Sequence, residues 1–245
     1  MKRPKVVALV PARSGSKGFP QKNIYPFLNK PLLAWSVVYA IESGYIQDCF
    51  VSTDDQNYLD ISLKYGARKL PLRSKHLALD STPMWDVIRD FCKTPSINSA
   101  QYDYLVLLDP TSPLRKIEDL IGSLELLEAN PNWAGVVSVS EPHFNPIWVS
   151  VTVQEHSQLI TRWIEDSGKY TRRQQVPRLL RMNGLMYVWR MDFIEVCKSS
   201  WLESGLHGSY VTPEWRSLSI DTEMDFRMAE TIAKSSIFDL NLFRK

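Results

Sequence analysis

One segment near the amino terminus indicates the architecture of the chain: Val6-Val7-Ala8-Leu9-Val10-Pro11-Ala12-Arg13-Ser14-Gly15-Ser16-Lys17-Gly18. Its apolar run, 6–10, is typical of a strand that is covered on both faces in a parallel sheet. A polar loop follows this run directly. Because ligands of open α/β sheets bind beyond the carboxyl ends of the strands, the loop is predicted to lie at a binding site.

Three further apolar segments repeat the strand pattern, at 48–53, 104–108 and 135–139. Helical patterns lie between the strands: one after Pro31 that ends before Gly44, one capped by Asp54 or Asp55 that ends at Gly66, one that begins at Pro83 and one over 117–129. This alternation predicts an α/β fold of three layers, in which a mostly parallel sheet carries helices on both faces.

The segment 142–177 departs from this alternation. Residues 149–153 alternate between apolar and polar as a half-exposed antiparallel strand would, and basic, turn-rich sequence follows. The segment is too short to form its own core, so we predict one domain over 1–245 with a small antiparallel flap inserted at about 142–177. A terminal helix follows, with one apolar face formed by Phe226, Ala229, Ile232 and Ala233.

Composition limits the classes of function. The chain has 245 residues, of which 44% are hydrophobic and 23% charged, as in ordinary globular proteins. Its formal net charge of +2 is too balanced for a general nucleic-acid binder, so no nucleic-acid partner is expected. The apolar run 6–10 is too short for a signal peptide or a membrane span, which predicts a cytoplasmic protein without a membrane partner.

The loop 11–18 has the composition of a phosphate-binding segment. Gly15 and Gly18 allow the backbone to turn its N–H groups toward phosphate oxygens, and Arg13 and Lys17 add positive charge. The glycines lack the spacing of the GxxxxGK[ST] phosphate loop and of the GxGxxG motif. From these residues alone, an ordinary polar loop remains the alternative.

Six sequence blocks together resemble the acylneuraminate cytidylyltransferase family, whose members activate sialic and related sugar acids. The first block combines Val10-Pro11-Ala12-Arg13, Ser16-Lys17-Gly18 and Lys22-Asn23. The others follow in family order: Val51-Ser52-Thr53-Asp54-Asp55; Leu107-Leu108-Asp109-Pro110-Thr111-Ser112-Pro113-Leu114-Arg115; Thr171-Arg172-Arg173-Gln174; Asn183-Gly184; and Ile220-Asp221-Thr222-Glu223.

This resemblance implies a fold and a reaction. Enzymes of the family have a nucleotide-diphosphosugar-transferase-like α/β fold and work as homodimers that exchange a flap. They join CTP to the anomeric hydroxyl of a 2-keto sugar acid, release pyrophosphate and use a divalent metal, Mg2+ or another. Two departures from the family point away from the common sialic acid: Trp148, where some sialic-acid enzymes have a lysine, and Thr82-Pro83-Met84, in place of a run of small residues. The implied substrate is an acid of sialic, legionaminic or pseudaminic type, and the last two types fit these departures.

The resemblance also assigns residues to the nucleotide. Arg13 and Lys22 would contact its phosphates, Asn23 and Arg73 would lie on the cytidine side, and Asp221 would join Arg13 and Lys22 as a catalytic residue. The full nucleotide-binding set that it implies is Ala12, Arg13, Ser14, Gly15, Ser16, Lys17, Lys22, Asn23, Arg73 and Thr82.

The expected metal site departs from the family pattern. The family usually shows Asp-x-Asp before the last helix, but this chain has Ser219-Ile220-Asp221, so the first carboxylate is missing. Where the family usually has Gln-Pro-Thr-Ser-Pro, this chain begins with Asp109. By resemblance to related sugar nucleotidyltransferases, Asp109 and Asp221 are the implied Mg2+ ligands. From the residues alone, a turn role for Asp109 and a capping role for Asp221 stay open.

For the sugar acid, the resemblance implies six residues. Arg173 in the flap and Arg181 are candidates for the substrate carboxylate, because a guanidinium binds carboxylate in a bidentate fork. Tyr187, judged without the family, is also typical of a strand core. The full set is Asp109, Arg173, Gln174, Arg181, Asn183 and Tyr187.

Two other functions remain as alternatives. A glycosyltransferase shares this kind of sheet and binds a metal through Asp-x-Asp, but Asp54 and Asp55 are adjacent and lack that spacing. A catalytically silent protein that binds CMP or a sugar acid is favoured only by the serine at position 219. Release of pyrophosphate from CTP would separate all three.

Overall fold

A six-stranded sheet with helices on both faces forms the centre of the protein in a computed structural model, which describes residues 3–95, 97 and 99–238. The strands are β1 (Val6–Pro11), β2 (Pro26–Phe27), β3 (Lys30–Pro31), β4 (Ile46–Ser52), β5 (Tyr104–Leu107), β6 (Trp133–Ser140), β7 (Val151–Val153), β8 (Ile160–Arg162), β9 (Arg181–Arg190) and β10 (Leu206–Val211). The α-helices are α1 (Leu32–Glu42), α2 (Gln56–Lys64), α3 (Met84–Lys93), α4 (Ile117–Ala129), α5 (Pro146–Val149), α6 (Met191–Val196), α7 (Trp201–Ser204) and α8 (Glu223–Lys234). Short 3-10 helices lie at Lys22–Ile24, Lys75–Leu77, Ser99–Gln101, Glu165–Lys169, Arg173–Gln175 and Glu214–Arg216.

The strand order in the main sheet is β10-β6-β9-β5-β1-β4. β1 pairs in parallel with β4 and β5, and β10 pairs in parallel with β6. β9 is antiparallel to both of its neighbours, β5 and β6. The flap leaves the sheet at the end of β6 and rejoins it at the start of β9, where Ser140 pairs with Arg181. Because β6 and β9 are neighbours, β9 has to run in the direction opposite to β6. The predicted α/β class with a mostly parallel sheet is confirmed.

The two faces of β1 are buried under different helices. Val6, Ala8 and Val10 pack in a cluster that includes residues of α1, α4 and α8. Val7 and Leu9 pack in a second cluster, with residues of α3 and α6. The apolar run at 6–10 is therefore covered on both sides, as its composition predicts, and the polar residues that follow it emerge at the edge of the sheet.

The predicted helix boundaries agree closely with the structure. Gly44 and Gly66 both have positive φ, of 63° and 96°, just beyond the ends of α1 and α2. Asp55 caps α2, since its side chain accepts a hydrogen bond from the backbone of Tyr58. The strand predicted at 149–153 is shorter than expected, because Val149 ends the one-turn helix α5 and β7 begins at Val151.

Within the flap, β7 and β8 form a separate two-stranded antiparallel sheet. Several large apolar side chains of the flap are exposed, among them Val153, Ile160 and Trp163. Whether 1–245 is a single domain stays a prediction, since its ends lie outside the described residues. In the described part of the chain, no helix has the length and apolar character needed to cross a membrane.

Candidate active site

A cavity of about 440 Å3 opens at the carboxyl ends of β1 and β5, the edge at which the sequence predicts a ligand. It is lined by Pro11, Arg13, Ser16, Lys17, Gly18, Lys22, Asn23, Arg73, Met84, Asp109, Pro110, Thr111 and Asp221. A larger cavity, of about 570 Å3, lies at the opposite edge beside Tyr45, Tyr104 and Arg190. None of the motif residues lines it, so the chemistry of the lining rather than cavity size marks the site.

Two side chains fix the peptide group between Arg13 and Ser14. The Asn23 amide donates to the carbonyl oxygen of Arg13 (3.1 Å), and the Ser14 N–H donates to Oδ1 of Asp54 (3.0 Å). The Ser14 hydroxyl donates to the other carboxylate oxygen of Asp54, at 2.9 Å. Burial acts to raise the pKa of Asp54, but these hydrogen bonds outweigh it and hold the pKa below its usual range. An ionised carboxylate after β4 thus anchors the loop after β1.

Three basic side chains from the loop and the following 3-10 helix reach the cavity, and each is paired with a carboxylate. Arg13 and Lys17 both contact Asp80, with Lys17 at 2.5 Å. Lys22 donates to Asp221 at 2.7 Å and to the preceding backbone carbonyl at 2.8 Å. The Lys22 side chain is 14% exposed and that of Lys17 is 85% exposed. Lys22 is therefore held in a largely buried position, whereas Lys17 is open to solvent and paired only with the partly exposed Asp80 among the described residues.

Gly18 allows the loop to approach the segment before α8. A Cβ at this position would lie 2.7 Å from the backbone oxygen of Asp221, closer than a real contact allows. A larger residue would therefore push the loop away from Asp221 and separate the two sides of the cavity.

Two buried side chains in the cavity wall have polar atoms without a partner among the described residues. These atoms are Nε and Nη2 of Arg73, which is 7% exposed, and Oδ1 of Asn23. Burial lowers the pKa of Arg73, against the opposing charge of Asp54. A buried donor or acceptor without a partner is costly and uncommon, so these atoms are well placed for the polar groups of a ligand.

Asp109 lines the cavity just beyond the end of β5. The described residues donate no hydrogen bond to its carboxylate, whereas the backbone oxygen of Asp109 accepts from Ser112 and from the buried Arg115. Burial raises the pKa of Asp109 to about 6, against the lowering effect of Arg115, and the negative charge of Asp221 adds to the rise. Two carboxylates that repel each other therefore face the same cavity.

This pair of carboxylates fits a divalent cation, because Mg2+ is commonly held by one or two carboxylates together with substrate phosphates. A cation between Asp109 and Asp221 would also relieve their repulsion. No group of three or more His, Cys, Asp or Glu side chains suited to a metal occurs in the part of the chain that the structure describes. Phosphate oxygens would therefore have to complete the coordination.

The structure resolves the alternative roles of both carboxylates. Thr222, with Asp225, caps α8, so the Asp221 side chain is not the cap and contacts Lys22 instead. Asp109 does begin a turn, but through its backbone oxygen, which leaves its carboxylate in the cavity wall.

Four residues of the implied nucleotide-binding set do not line the cavity. Ala12 is fully buried in the core, Gly15 lies in open space, and Ser14 gives both of its donors to Asp54. The Thr82 hydroxyl donates to the backbone of His76, at 3.0 Å. Ser14 therefore fixes the loop, and nucleotide contacts by these four residues stay predictions.

The implied sugar-acid residues are dispersed. Arg173 and Gln174 line a separate cavity of about 450 Å3 at the base of the flap. Arg181 forms an ion pair with Glu214, at 2.9 Å. Tyr187 stacks on Trp189, with ring centroids 5.4 Å apart, and burial together with the charge of Asp109 raises its pKa to about 12. Of the six residues, only Asp109 lines the cavity described above.

Asn183 has a structural role in this chain. Its amide group donates to the hydroxyls of Thr212 and Ser217, and its oxygen accepts from the Ser138 hydroxyl and the Leu185 N–H. This buried network holds β9 against the segment that follows β10, and it leaves no side-chain donor for a substrate. The next residue, Gly184, has a φ of 70°, and a Cβ there would lie 3.5 Å from the Asp109 carboxylate.

Sequence reasoning missed Asp54, Asp80 and Arg115 as residues that shape the site. Asp54 was predicted to be a possible helix cap, but its neighbour Asp55 has that role. Asp80 lies in a loop without a distinctive pattern, and Arg115 was part of a motif without an assigned contact. A strand that ends in two consecutive aspartates was the one available signal, since only one of them can cap the helix.

Comparison with known proteins identifies the family. The family model described as cytidylyltransferase matches residues 7–204. The chain belongs to the cytidylyltransferase family. This cytidylyltransferase is 31% identical to the N-acylneuraminate cytidylyltransferase of Escherichia coli O18:K1:H7, over 94% of its own length and 52% of that protein. It is 29% identical to the CMP-N,N'-diacetyllegionaminic acid synthase of Legionella pneumophila, over 93% and 96% of the two chains.

A solved structure shares the fold of this cytidylyltransferase. CMP:2-keto-3-deoxy-manno-octonic acid synthetase complexed with CTP superposes with a TM-score of 0.69 at 17% identity, over 93% of this chain and 98% of that one. The family predicted from the six sequence blocks and the nucleotidyltransferase-like α/β fold are both confirmed.

Proposed function

We propose that this cytidylyltransferase joins CTP to the anomeric hydroxyl of a 2-keto sugar acid, releasing pyrophosphate and forming the CMP-sugar. One observation carries the proposal: the fold brings Arg13, Lys17 and Lys22 into one cavity with the carboxylates of Asp109 and Asp221. A triphosphate, and the pyrophosphate that leaves from it, need cations to neutralise their charge. The metal ion that accompanies the triphosphate needs carboxylate ligands.

In this proposal the loop cations and Lys22 have different tasks. The exposed Lys17 and the partly exposed Arg13 would neutralise the β- and γ-phosphates, which depart as pyrophosphate. Lys22 is fixed beside Asp221, so it would contact the α-phosphate, where negative charge develops during transfer. Preorganised cations at such positions commonly supply a large part of catalysis.

Asp109 and Asp221 would hold Mg2+ together with phosphate oxygens. When bound, this ion would neutralise charge on the phosphates and orient them for displacement. Asp109 is well suited to the task, since its backbone is fixed by Arg115 and its carboxylate has no competing donor in the described chain.

Arg73 and Asn23 would select the base. A cytosine ring presents acceptors at O2 and N3 and an amino donor at N4. The unpartnered atoms of the cavity wall are complementary to that edge: donors on Arg73 and an acceptor on Asn23. Uracil has N–H at position 3, which would face the Arg73 donors.

The sugar acid is proposed to be a nonulosonate of sialic, legionaminic or pseudaminic type, on the similarity to the relatives named above. We also propose that the protein is a homodimer, in which the flap of one chain carries Arg173 to the site of the other, and that it acts in the cytoplasm, where CTP is available. The exposed apolar side chains of the flap support the dimer.

The deciding experiment measures pyrophosphate release from CTP with a panel of 2-keto sugar acids, in the presence of Mg2+. We expect release only when CTP and an acceptor are both present, with one acid strongly preferred. Lys22→Ala should abolish release, whereas Lys64→Ala, at the end of α2, is a matched control. Binding of CTP without any release would favour the silent-protein alternative, and hydrolysis of a nucleotide-sugar donor would favour the glycosyltransferase.

A further inference from the structure

Asp80 bridges the two cations of the loop. One of its carboxylate oxygens contacts Arg13, and the other contacts Nζ of Lys17 at 2.5 Å. The hydrogen bond from Lys17 is the leading cause that lowers the pKa of Asp80. The carboxylate is therefore ionised at neutral pH and occupies the cations that the proposed function assigns to phosphate.

The segment that carries Asp80 lies next to the cavity, since Asp80 contacts two of the lining residues, Arg13 and Lys17. It runs over 74–83, between Arg73 and Met84, and both of these flanking residues line the cavity wall. Hydrogen bonds within the segment, from Thr82 to His76 and to Leu79, give it a local structure of its own. Asp80 therefore holds this segment to the loop through two ion pairs, one with Arg13 and one with Lys17.

The ion pair between Asp80 and Lys17 is one that a ligand can displace. The side chain of Asp80 is 43% exposed and that of Lys17 is 85% exposed, so water reaches both groups. Exposed ion pairs contribute little net stability, and a ligand with several negative charges can replace them. By contrast, Lys22 is largely buried beside Asp221, and its pair does not involve the loop.

We propose that Asp80 is an internal counter-ion that competes with the substrate polyphosphate for Arg13 and Lys17. This inference rests on the proposed function, because it requires that the cavity bind a triphosphate. CTP has to displace the carboxylate in order to bind, and the carboxylate returns as pyrophosphate leaves. Asp80 therefore weakens polyphosphate binding and favours product release, and it is a residue that determines affinity without touching the reacting atoms.

Competition and positioning make opposite predictions. If Asp80 competes, its removal frees both cations and tightens every ligand that uses them. If Asp80 instead holds Arg13 and Lys17 in the binding geometry, its removal weakens the same ligands. Cytidine, which has no phosphate, should be unaffected in the first case.

The test is the binding of CTP, pyrophosphate and cytidine, measured by calorimetry for the wild type, Asp80→Asn and Asp80→Glu. We expect Asp80→Asn to tighten CTP and pyrophosphate by roughly two- to tenfold, by the same factor for both, because the two exposed ion pairs are removed. Cytidine binding should not change, and Asp80→Glu should stay near the wild type. High ionic strength should reduce the difference, because salt screens exposed pairs.

Asp60→Asn is the matched control for the loss of one negative charge. Asp60 is exposed on α2 and accepts a hydrogen bond from Gln56. This variant should bind all three ligands as the wild type does. Pyrophosphate should also inhibit Asp80→Asn more strongly as a product, by the same factor as in the binding measurement.

The outcomes separate the inference from the proposed function. Unchanged or weaker CTP and pyrophosphate binding by Asp80→Asn, with normal binding by the wild type, overturns the inference alone. If Arg13→Ala binds CTP as tightly as the wild type does, the cavity is not the triphosphate site, and both the inference and the site assignment fail.

Discussion

At the scale of single residues, Asp109 decides whether the metal proposal is correct. We expect Asp109→Asn to lower turnover by roughly 100- to 1,000-fold, which corresponds to about 3–4 kcal/mol of lost transition-state stabilisation. The fold should persist, because the described residues donate no hydrogen bond to this carboxylate. The measurement is turnover at saturating Mg2+, with thermal unfolding as the check on folding.

A second variant tests whether two carboxylates are the requirement. Ser219 occupies the place of the missing family aspartate, and its hydroxyl lies 3.4 Å from Asp221. Ser219→Asp should therefore partly restore activity to Asp109→Ala. Near-normal turnover of Asp109→Asn would make Asp109 a turn residue and leave Asp221 as the one protein ligand supported by the geometry.

Arg73 offers the corresponding test for the base. We expect Arg73→Ala to reduce the preference for CTP over UTP by roughly tenfold, since a buried hydrogen bond from a charged donor is lost. Pyrophosphate binding should change little, because Arg13, Lys17 and Lys22 remain. Competitive binding of the two nucleotides measures the preference. Equal losses for CTP, UTP and pyrophosphate would show that Arg73 acts on the phosphates instead.

The sequence was sufficient for the residues whose roles follow from local pattern, and insufficient for contacts between distant segments. Arg13, Lys17 and Lys22 belong to one continuous loop and helix, so composition placed them together. The contact between Asp80 and that loop, by contrast, joins segments that no periodicity relates. Asn183 was assigned to the substrate from its motif, whereas its surroundings use all of its hydrogen-bonding capacity.

At the scale of elements, the loop after β1 depends on the carboxylate after β4. We expect Asp54→Ala to weaken CTP and pyrophosphate binding by roughly tenfold, since two hydrogen bonds to a charged acceptor are lost and the loop is freed. Asp55→Ala is the matched neighbour: it removes the cap of α2, so it should lower the unfolding temperature and leave affinity unchanged. Calorimetry and thermal unfolding of both variants measure these effects.

The reverse pattern would contradict the anchoring role of Asp54. If Asp54→Ala lost stability but kept its affinity, the carboxylate would serve the fold alone. Ser14→Ala supplies an internal check. It removes one of the two hydrogen bonds, so its effect should be smaller than that of Asp54→Ala and should not add to it in the double variant.

The direction of β9 shows what element-level patterns do not contain. Apolar runs predict buried strands, but they are silent on strand direction. Here the direction of β9 follows from the flap, which begins at the end of β6 and returns to the start of β9 beside it. The sequence pattern of the flap predicted one strand. In the structure the flap forms a two-stranded hairpin with exposed apolar side chains, and local sequence could not reveal that exposure.

At the scale of the whole molecule, the single chain leaves two features unexplained. Trp163, Ile160 and Val153 in the flap are each about two-thirds exposed, at 65%, 65% and 64%. Arg173 lies at a cavity separate from the one that holds Asp109. A second copy that covers the flap would account for both features, and burial of these side chains would contribute on the order of several kcal/mol.

We therefore expect a dimer at micromolar concentration in sedimentation, and a monomer for Trp163→Asp. Val196→Asp is the matched control, since Val196 is 72% exposed at the end of α6, outside the flap. The separated Trp163→Asp monomer should still bind CTP, because the phosphate loop is within one chain, but it should lose saturation by the sugar acid. A wild-type monomer at these concentrations would refute the shared site.

Mixing two inactive variants tests whether Arg173 acts across the dimer. In a mixed dimer of Arg173→Ala and Lys22→Ala, one site combines both lesions and the other has neither, provided that Arg173 comes from the partner. Random exchange between equal amounts places half of the chains in mixed dimers, so roughly a quarter of wild-type activity should return. If Arg173 serves its own chain, every site keeps one lesion and no activity returns. The rate of pyrophosphate release after exchange therefore distinguishes a site within one chain from a site built by two.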